Sequence, residues 1–323
     1  MIARRAVLAG LGALPLAKTA LAVEMPAVEM PATGKRAWAA ELPVIRMGLL
    51  GGENDADRLA RVDGYKKLME TTFGVPVKLM VAADYSGVIQ AFAAKQLDIA
   101  YNSPAAYAQS WMQSDGDVRP LTVTQEQDGS TSYVAVLYTR ADSGITSLEQ
   151  MKGHSLAWAD PNSASGYLIP RAEFRGMGID PESGKYFSRT GFAGGHEQTV
   201  IAVMNKQYDA GVTWTSGIGD AATGYSRGML RMMVDKKLLD MKDMRIIWKS
   251  RPILNGPLTV RKSTPLAFQE DMLAFHLALP TAHPDIYHSV DMGNGKSWVP
   301  VKHEDFQPFI DMLKQEAADR RKR

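Results

Sequence analysis

The sequence predicts an α/β protein built as two lobes that are joined by two strand crossings. Strand-like and helix-like segments alternate from residue 43 to residue 113, which predicts a parallel sheet covered by helices. Two consecutive extended segments then fill residues 119–140 without a helix between them, and the alternation resumes from Leu148. A further extended segment at residues 256–264 provides a return crossing. We therefore place lobe 1 at residues 42–137 and 257–323, and lobe 2 at residues 138–256.

The elements of the first lobe follow from apolar spacing and from turn residues. Residues 56–74 carry apolar side chains at helical spacing and end at a glycine. Two further helices are predicted, one at residues 84–96 with Asp84 near its start, and one at residues 104–113 with a proline at its start. The apolar runs before these helices predict strands at residues 43–51, 75–82 and 97–103, and closing helices are expected at residues 265–279 and 303–323.

The second lobe repeats this pattern. Its predicted strands are residues 154–160, 186–195, 208–214 and 245–250, and its predicted helices are residues 167–178 and 196–207. Ligands of open α/β sheets bind beyond the carboxyl ends of the strands. In a protein of two lobes, both sets of strand ends can face one cleft, which closes around a small ligand.

The first residues are not expected to belong to the fold. Residues 1–22 have a basic start, an apolar stretch and an Ala-Leu-Ala cleavage pattern, which together predict a signal peptide and a periplasmic protein. The Arg4-Arg5 pair resembles a twin-arginine export signal, and a general secretory peptide is the alternative. Residues 23–41 contain a doubled pentapeptide rich in Pro, Ala and Glu, and they predict a flexible leader.

Composition excludes several classes of function. The chain has 37 basic and 35 acidic residues, and residues 1–22 hold three of the basic residues and no acidic one, so the remaining chain gives no sign of a nucleic-acid partner. The absence of cysteine excludes a disulfide scaffold, a thiol nucleophile and a zinc site with Cys ligands. No cofactor is expected, and we assign His283 and His288 to a surface loop rather than to a metal site.

Polar, uncharged side chains follow successive predicted strands, and Lys and Arg are absent from these strand ends. Hydroxyl groups and the backbone N–H groups of helix starts can hold an anion without a cation. The segment DPNSASGYLIP at residues 160–170 has this layout, because a strand, a turn of small polar residues and a helix follow one another. The candidate binding residues are Tyr85, Tyr101, Asn102, Ser103, Tyr133, Ser163, Ala164, Ser165, His196, Thr215 and Ser216.

Five segments resemble the phosphonate, phosphite and phosphate substrate-binding proteins of ABC importers. They are DYSGVIQA, LDIAY, DPNSASGYLIP, GGHEQTVIAVMNKQYDAG and IIWKS, and the resemblance extends from about residue 44 to residue 275. It implies the two-lobed periplasmic binding protein fold of the second topological type. It also implies a small phosphorus oxyanion as ligand and an ABC permease of the inner membrane as partner. We expect the protein to be a monomer.

The resemblance implies roles for the residues that match the family's motifs. The hydroxyl groups of Ser163 and Ser165 and the backbone N–H of Ala164 would hold the oxygens of the phosphonate at a helix start. The family usually has Ser-Thr-Ser here, so Ala164 removes one hydroxyl group and keeps the backbone donor. His196 would donate from a second helix start, and Tyr85 from the opposite lobe.

Two departures from the family concern ligand selectivity. Tyr133 would line the cleft, as in the family. Binders of aminoethylphosphonate carry acids at two positions where this sequence instead has Ser216 and Gly256. An ammonium group without a partner is expensive to bury. We therefore expect a small ligand without an amine, such as phosphite, methylphosphonate or phosphate, although Glu53 and Glu197 remain as acids at strand ends.

The sequence predicts a binding protein and not an enzyme. Ser163 and Ser165 have no general base that can be recognised in the sequence, and Pro161 stands where a nucleophile elbow at Ser163 requires glycine. Two alternatives remain. In the first, the protein presents its ligand to a sensor kinase or chemoreceptor instead of a transporter. In the second, it is a hydrolase that acts on a phosphorus ester.

Overall fold

Residues 28–321 are described by the computed structural model, and they form two sheets with helices packed against them. The predicted signal peptide and residues 23–27 of the leader lie outside the described residues. The strands are β1 (Ile45–Leu49), β2 (Val77–Val81), β3 (Ile99–Tyr101), β4 (Val118–Gln125), β5 (Ser132–Arg140), β6 (Ser155–Trp158), β7 (Arg189–Phe192), β8 (Ala210–Thr215), β9 (Met244–Lys249), β10 (Ile253–Leu254), β11 (Leu258–Arg261) and β12 (Ser297–Pro300). The α-helices are α1 (Asp55–Phe73), α2 (Tyr85–Ala93), α3 (Pro104–Gln113), α4 (Ile169–Gly176), α5 (His196–Met204), α6 (Met229–Asp235), α7 (Leu266–Ala282), α8 (Pro284–Asp291) and α9 (Gln307–Arg321).

Each sheet combines parallel strands with antiparallel ones, one of which arrives from the other lobe. The first sheet has the order β12-β4-β11-β3-β1-β2, in which β1 is parallel to β2 and β3, and β11 is antiparallel to β3 and β4. The second has the order β10-β5-β8-β6-β7, in which β6 is parallel to β7 and β8, and β5 is antiparallel to β8. The predicted two-lobed α/β fold of the second topological type is confirmed.

The first crossing lies earlier than the sequence predicts. Strand β4 belongs to the first sheet and β5 pairs with β8, β9 and β10 of the second, so the chain changes lobe over residues 126–131. The predicted boundary after residue 137 therefore falls inside β5. Two consecutive apolar extended segments do not reveal in sequence which sheet each one joins. The return crossing comprises residues 255–257, between β10 and β11.

The end of the predicted leader is part of the first lobe. Residues Ala37–Ala40 form a short 3₁₀ turn, and the buried indole of Trp38 donates a hydrogen bond of 2.7 Å to Asp271. The Trp38 ring packs edge-on against Phe73 and Phe268 at centroid distances of 5.8 and 5.0 Å. A single aromatic residue among Ala and Pro produces no periodic signal, which is why the sequence indicated a flexible segment there.

Four elements were not predicted, namely α6, α8, β10 and β12. Residues His283 and His288, which we assigned to a surface loop, are respectively the cap and a member of α8, and the ring Nδ1 of His288 donates to the Gly293 carbonyl at 3.0 Å. The helix begins with Pro284, a residue that suits a first helical turn. Within residues 28–321, no three His, Asp or Glu side chains form a group that could hold a metal ion. Within the same range, no helix has the length and hydropathy needed to cross a bilayer.

Candidate anion-binding cleft between the lobes

The carboxyl ends of the parallel strands of both sheets face each other across a cavity of about 190 Å³. The lobes touch at its edge. The backbone N–H of Glu197 donates to the Gly52 carbonyl at 3.1 Å, and that of Tyr85 donates to the carboxylate of Asp160 at 3.2 Å. Glu197 and Asp160 belong to the second lobe and the other two residues to the first, so the lobes are in a closed arrangement.

Backbone donors converge where the segment DPNSASGYLIP turns into a helix. Ser163 caps a single π-helical turn, Ala164–Leu168, which continues into α4, and its Oγ accepts the Gly166 N–H at 2.9 Å. The N–H groups of Ala164 and Ser165 have no acceptor among residues 28–321. Free N–H groups at a helix start, together with the helix dipole, favour an anion at this position.

His196, the first residue of α5, approaches the same turn. Its Nε2 lies 3.1 Å from the Ser163 Oγ, and its Nδ1 lies 3.3 Å from the Thr213 Oγ1. Burial lowers the pKa of His196 to about 3, so the imidazole is neutral at physiological pH. A neutral imidazole has one N–H donor and one acceptor nitrogen. His196 therefore supplies a hydrogen bond without a formal charge.

Two phenols complete this end of the cavity. The hydroxyl of Tyr85 contacts Ser163, and the hydroxyl of Tyr133 contacts Ser165. Burial raises the pKa of both, to about 12 in Tyr133, so both remain protonated donors at neutral pH. The Tyr133 ring stands edge-on to Trp214 at a centroid distance of 5.6 Å, which fixes its orientation.

The structure brings most of the predicted residues to the cavity wall. Those whose side chains line it are Tyr85, Tyr101, Asn102, Ser103, Tyr133, Ser163, Ser165 and His196. One polar group of each of three of them already has a protein partner: Tyr101 bonds His276 at 3.1 Å, Ser103 caps α3, and the Asn102 amide nitrogen donates to Thr259 at 3.0 Å. Ala164, between Ser163 and Ser165, is not among the residues that line it.

Thr215 and Ser216 lie elsewhere, contrary to the sequence-based expectation. The Thr215 hydroxyl faces the Arg227 carbonyl at 3.4 Å, and the Ser216 hydroxyl bonds that of Ser226 at 2.8 Å. Successive side chains of a strand point to opposite faces. Trp214 therefore lines the cavity, and Thr215 does not.

Cations also reach the cavity, although none follows a strand in the sequence. Arg58 and Arg61 come from α1, and Arg227 precedes α6. Arg58 donates to three backbone carbonyls at 2.5–3.2 Å, Arg61 pairs with Glu53 at 3.1 Å, and Arg227 pairs with Glu126 at 2.5 Å. Protein acceptors thus engage all three guanidinium groups. The residues that follow the strands in the sequence do not include these arginines, which belong to a helix or to the loop before one.

The contact between Ser163 and His196 has the spacing of a nucleophile and its base. The sequence had revealed no such base. The low pKa of His196, about 3, makes the ring a weak base near neutral pH, where a general base requires a pKa close to the working pH. The other ring nitrogen faces the hydroxyl of Thr213 and not a carboxylate. These features suit a hydrogen-bonding site better than a catalytic one.

The chain is similar to known proteins of one family. A model of the family described as "ABC transporter, phosphonate, periplasmic substrate-binding protein" matches residues 47–316. The phosphonates-binding periplasmic protein of Escherichia coli is 30% identical over 223 residues, which are 68% of this chain and 61% of that protein. The phosphate-import protein PhnD of Mycolicibacterium smegmatis is 28% identical over 213 residues, 64% of this chain and 62% of that protein. The chain thus spans about three fifths of the length of these curated relatives.

Solved structures share the fold over most of the chain. A binding protein component of an ABC phosphonate transporter from Pseudomonas aeruginosa superposes with a TM-score of 0.72 at 25% identity, over 84% of this chain and 85% of that one. PhnD1 of Prochlorococcus marinus in complex with methylphosphonate gives a TM-score of 0.68 at 16% identity, over 85% and 98%. With the family model matching most of its length, the chain belongs to the phosphonate periplasmic substrate-binding protein family of ABC transporters.

Proposed function

We propose that this protein captures a small phosphorus oxyanion in the periplasm, namely a phosphonate, phosphite or phosphate, and delivers it to an ABC importer. The relatives named above bind or import phosphonates and phosphate. Residues 1–22, read as a signal peptide, support export, and the twin-arginine route is part of the proposal. The partner is an ABC permease of the inner membrane, and the protein acts as a monomer that binds no nucleic acid.

One observation carries this proposal. The buried side chains of Tyr85, Ser163, Ser165 and His196 line one cavity, and the N–H groups of Ala164 and Ser165 at the adjoining helix start have no acceptor among residues 28–321, which supports an anion site there. Hydrogen bonds to a charged acceptor contribute about 1.5–3 kcal/mol each. A few of them suffice for a micromolar dissociation constant, which corresponds to about −8 kcal/mol. Bond cleavage is not part of the proposal, because the family consists of substrate-binding proteins.

Ligand titration tests the proposal. Phosphate, phosphite and methylphosphonate are compared with sulfate by thermal shift and by isothermal titration calorimetry on the mature protein. A specific ligand at a hundredfold excess over its dissociation constant stabilises the fold by about 2.7 kcal/mol. At least one phosphorus anion should raise the melting temperature and bind at least tenfold tighter than sulfate. Equal or tighter binding of sulfate contradicts the proposal.

A further inference from the structure

The lobes also meet at a second place, through two short backbone segments. Residues 226–228 precede α6 in lobe 2, and residues 292–294 follow α8 in lobe 1. The two segments pair as antiparallel strands, with Arg227 opposite Gly293. Together they are called the interlobe bridge below. Residues 226–228 also pair with the end of β8, which ties the bridge to the second sheet.

Two backbone hydrogen bonds hold the interlobe bridge together. The N–H of Gly228 donates to the Met292 carbonyl at 3.2 Å, and the N–H of Asn294 donates to the Ser226 carbonyl at 3.0 Å. The side chain of Met292 packs against the apolar core of lobe 2. Gly293 has a φ of +143°, and a Cβ added there would lie 2.5 Å from the Ser226 carbonyl oxygen. The close approach of the two segments therefore requires glycine at position 293.

The interlobe bridge lies beside both chain crossings. The buried guanidinium of Arg227 donates to Glu126 at 3.0 Å, where the first crossing begins, and to Asn255 at 2.7 Å, in the return crossing. From the first crossing, the side chain of Gln127 donates to the Asn294 carbonyl at 2.9 Å. When two lobes rotate about a hinge, atoms near the rotation axis move least. Contacts at this place therefore persist through a rotation that separates contacts farther away.

Two contacts farther from the crossings connect the lobes at the anion site. The N–H of Glu197 donates to the Gly52 carbonyl at 3.1 Å, and the N–H of Tyr85 donates to the Asp160 carboxylate at 3.2 Å. Both donors stand in the first turn of a helix, where the helix itself supplies no acceptor. Opening of the cleft would expose both N–H groups to water. The protein thus has two pairs of N–H groups, one at the bridge and one at the site, whose acceptors belong to the other lobe.

We propose that the interlobe bridge is a third, non-covalent hinge connection, which stays paired when the cleft opens and positions the two halves of the anion site for closure. This inference goes beyond the proposed function and does not depend on which anion binds. Arg227 and Met292 line the cavity, so its wall on this side keeps its shape in the open protein. Closure then has to bring only Ser163 and His196 toward Tyr85, and less conformational freedom is lost on binding.

Amide hydrogen exchange, resolved by residue with NMR, tests the bridge in the wild type. In the ligand-free protein, the protection factors of the Gly228 and Asn294 N–H groups should exceed those of Glu197 and Tyr85 at least about tenfold. Saturation with methylphosphonate should raise the protection of Glu197 and Tyr85 at least about tenfold and leave that of the bridge within about threefold. Equal protection of the two pairs without ligand, or bridge protection that is gained only with ligand, overturns the inference. If no phosphorus anion changes the exchange, the proposed function fails, and the ligand-free comparison still decides on the bridge.

Gly293→Ala tests the bridge from the opposite direction, because the added Cβ would collide with the Ser226 carbonyl. In this variant, the protection of the Gly228 and Asn294 N–H groups should fall at least about tenfold, and X-ray scattering should give a larger radius of gyration for the ligand-free protein. Gly34→Ala is the matched control. Its φ is +131°, and an added Cβ would meet no atom of residues 28–321 within 4 Å, its chain neighbours aside, so both quantities should stay as in the wild type. Unchanged protection in Gly293→Ala overturns the inference. If Gly293→Ala fails to fold, the wild-type exchange comparison decides alone.

Discussion

Replacing Ser165 by alanine removes one hydroxyl donor from the proposed phosphoryl site and little else. The side chain is 2% exposed, and its contact in the protein is the hydroxyl of Tyr133. A hydrogen bond to a charged oxygen contributes about 1.5–3 kcal/mol, so the dissociation constant for methylphosphonate should rise about 10- to 150-fold. The fold loses no apolar contact, and we expect the melting temperature of the ligand-free protein to change by less than about 2 °C.

Ser103→Ala is the matched control for this experiment. Ser103 also lines the cavity, but its hydroxyl caps α3 by accepting the Ala106 N–H at 3.1 Å. Loss of this cap costs about 1 kcal/mol of stability. Ser103→Ala should therefore lower the melting temperature and leave the affinity within about twofold. Calorimetry and differential scanning fluorimetry distinguish the two variants. An unchanged dissociation constant in Ser165→Ala would refute the role of its hydroxyl group.

Three further predictions concern the fold and its closure. Burial lowers the pKa of His276 to about 3 from 6.5, so the contribution of its neutral ring to stability is present above pH 6.5 and is lost as the pH falls toward 3. In urea unfolding between those pH values, His276→Gln should reduce the slope of the unfolding free energy against pH by up to about 1.4 kcal/mol per pH unit. An unchanged slope would exclude this group. A Cβ on Gly195 would lie 2.6 Å from the Gly52 Cα of the other lobe, so Gly195→Ala should hinder closure and weaken the binding of all phosphorus anions at least about tenfold. X-ray scattering of the variant with ligand should give a larger radius of gyration than that of the wild type. Normal affinity would argue against closure. Arg227→Met removes the cation that pairs with the buried Glu126 and should lower the free energy of unfolding by about 3–5 kcal/mol. The double variant with Glu126→Gln should restore most of this loss. Equal stability of the single and double variants would contradict this pairing.

The sequence predicted the parts of the fold and site that follow from short, local patterns. The strands and the helix starts at Ser163 and His196 were readable because small polar residues and glycines directly follow apolar runs. Both helix starts meet in one cleft because each follows a parallel strand, and such strands end at the same edge of a sheet.

Features that depend on distant pairing were not readable. Arg227 lies 101 residues from Glu126 along the chain, and neither residue stands in a recognisable motif. The pattern of residues after each strand points to the uncharged side chains but not to these charges, because helices and crossings bring the charges to the cavity. The crossing at residues 126–131 was misplaced for a similar reason, since strand pairing and not local composition decides which sheet β5 joins.

The neutral state of His196 shapes how the site holds an anion. An imidazolium would attract an oxyanion more strongly, but burial lowers the pKa of the ring to about 3 and removes its charge at neutral pH. Attraction then depends on the free N–H groups at the helix start and on the hydroxyl donors. Short hydrogen bonds of this kind gain strength in a closed cleft from which water is excluded.

A crystal structure of the protein with methylphosphonate tests the central claim most directly. The account predicts phosphoryl oxygens within about 2.6–3.2 Å of the Ser163 and Ser165 hydroxyl groups and of the Ala164 N–H, with His196 donating to one of them. A phosphorus atom bound instead against Arg61 or Arg227, or outside the cleft, would contradict it.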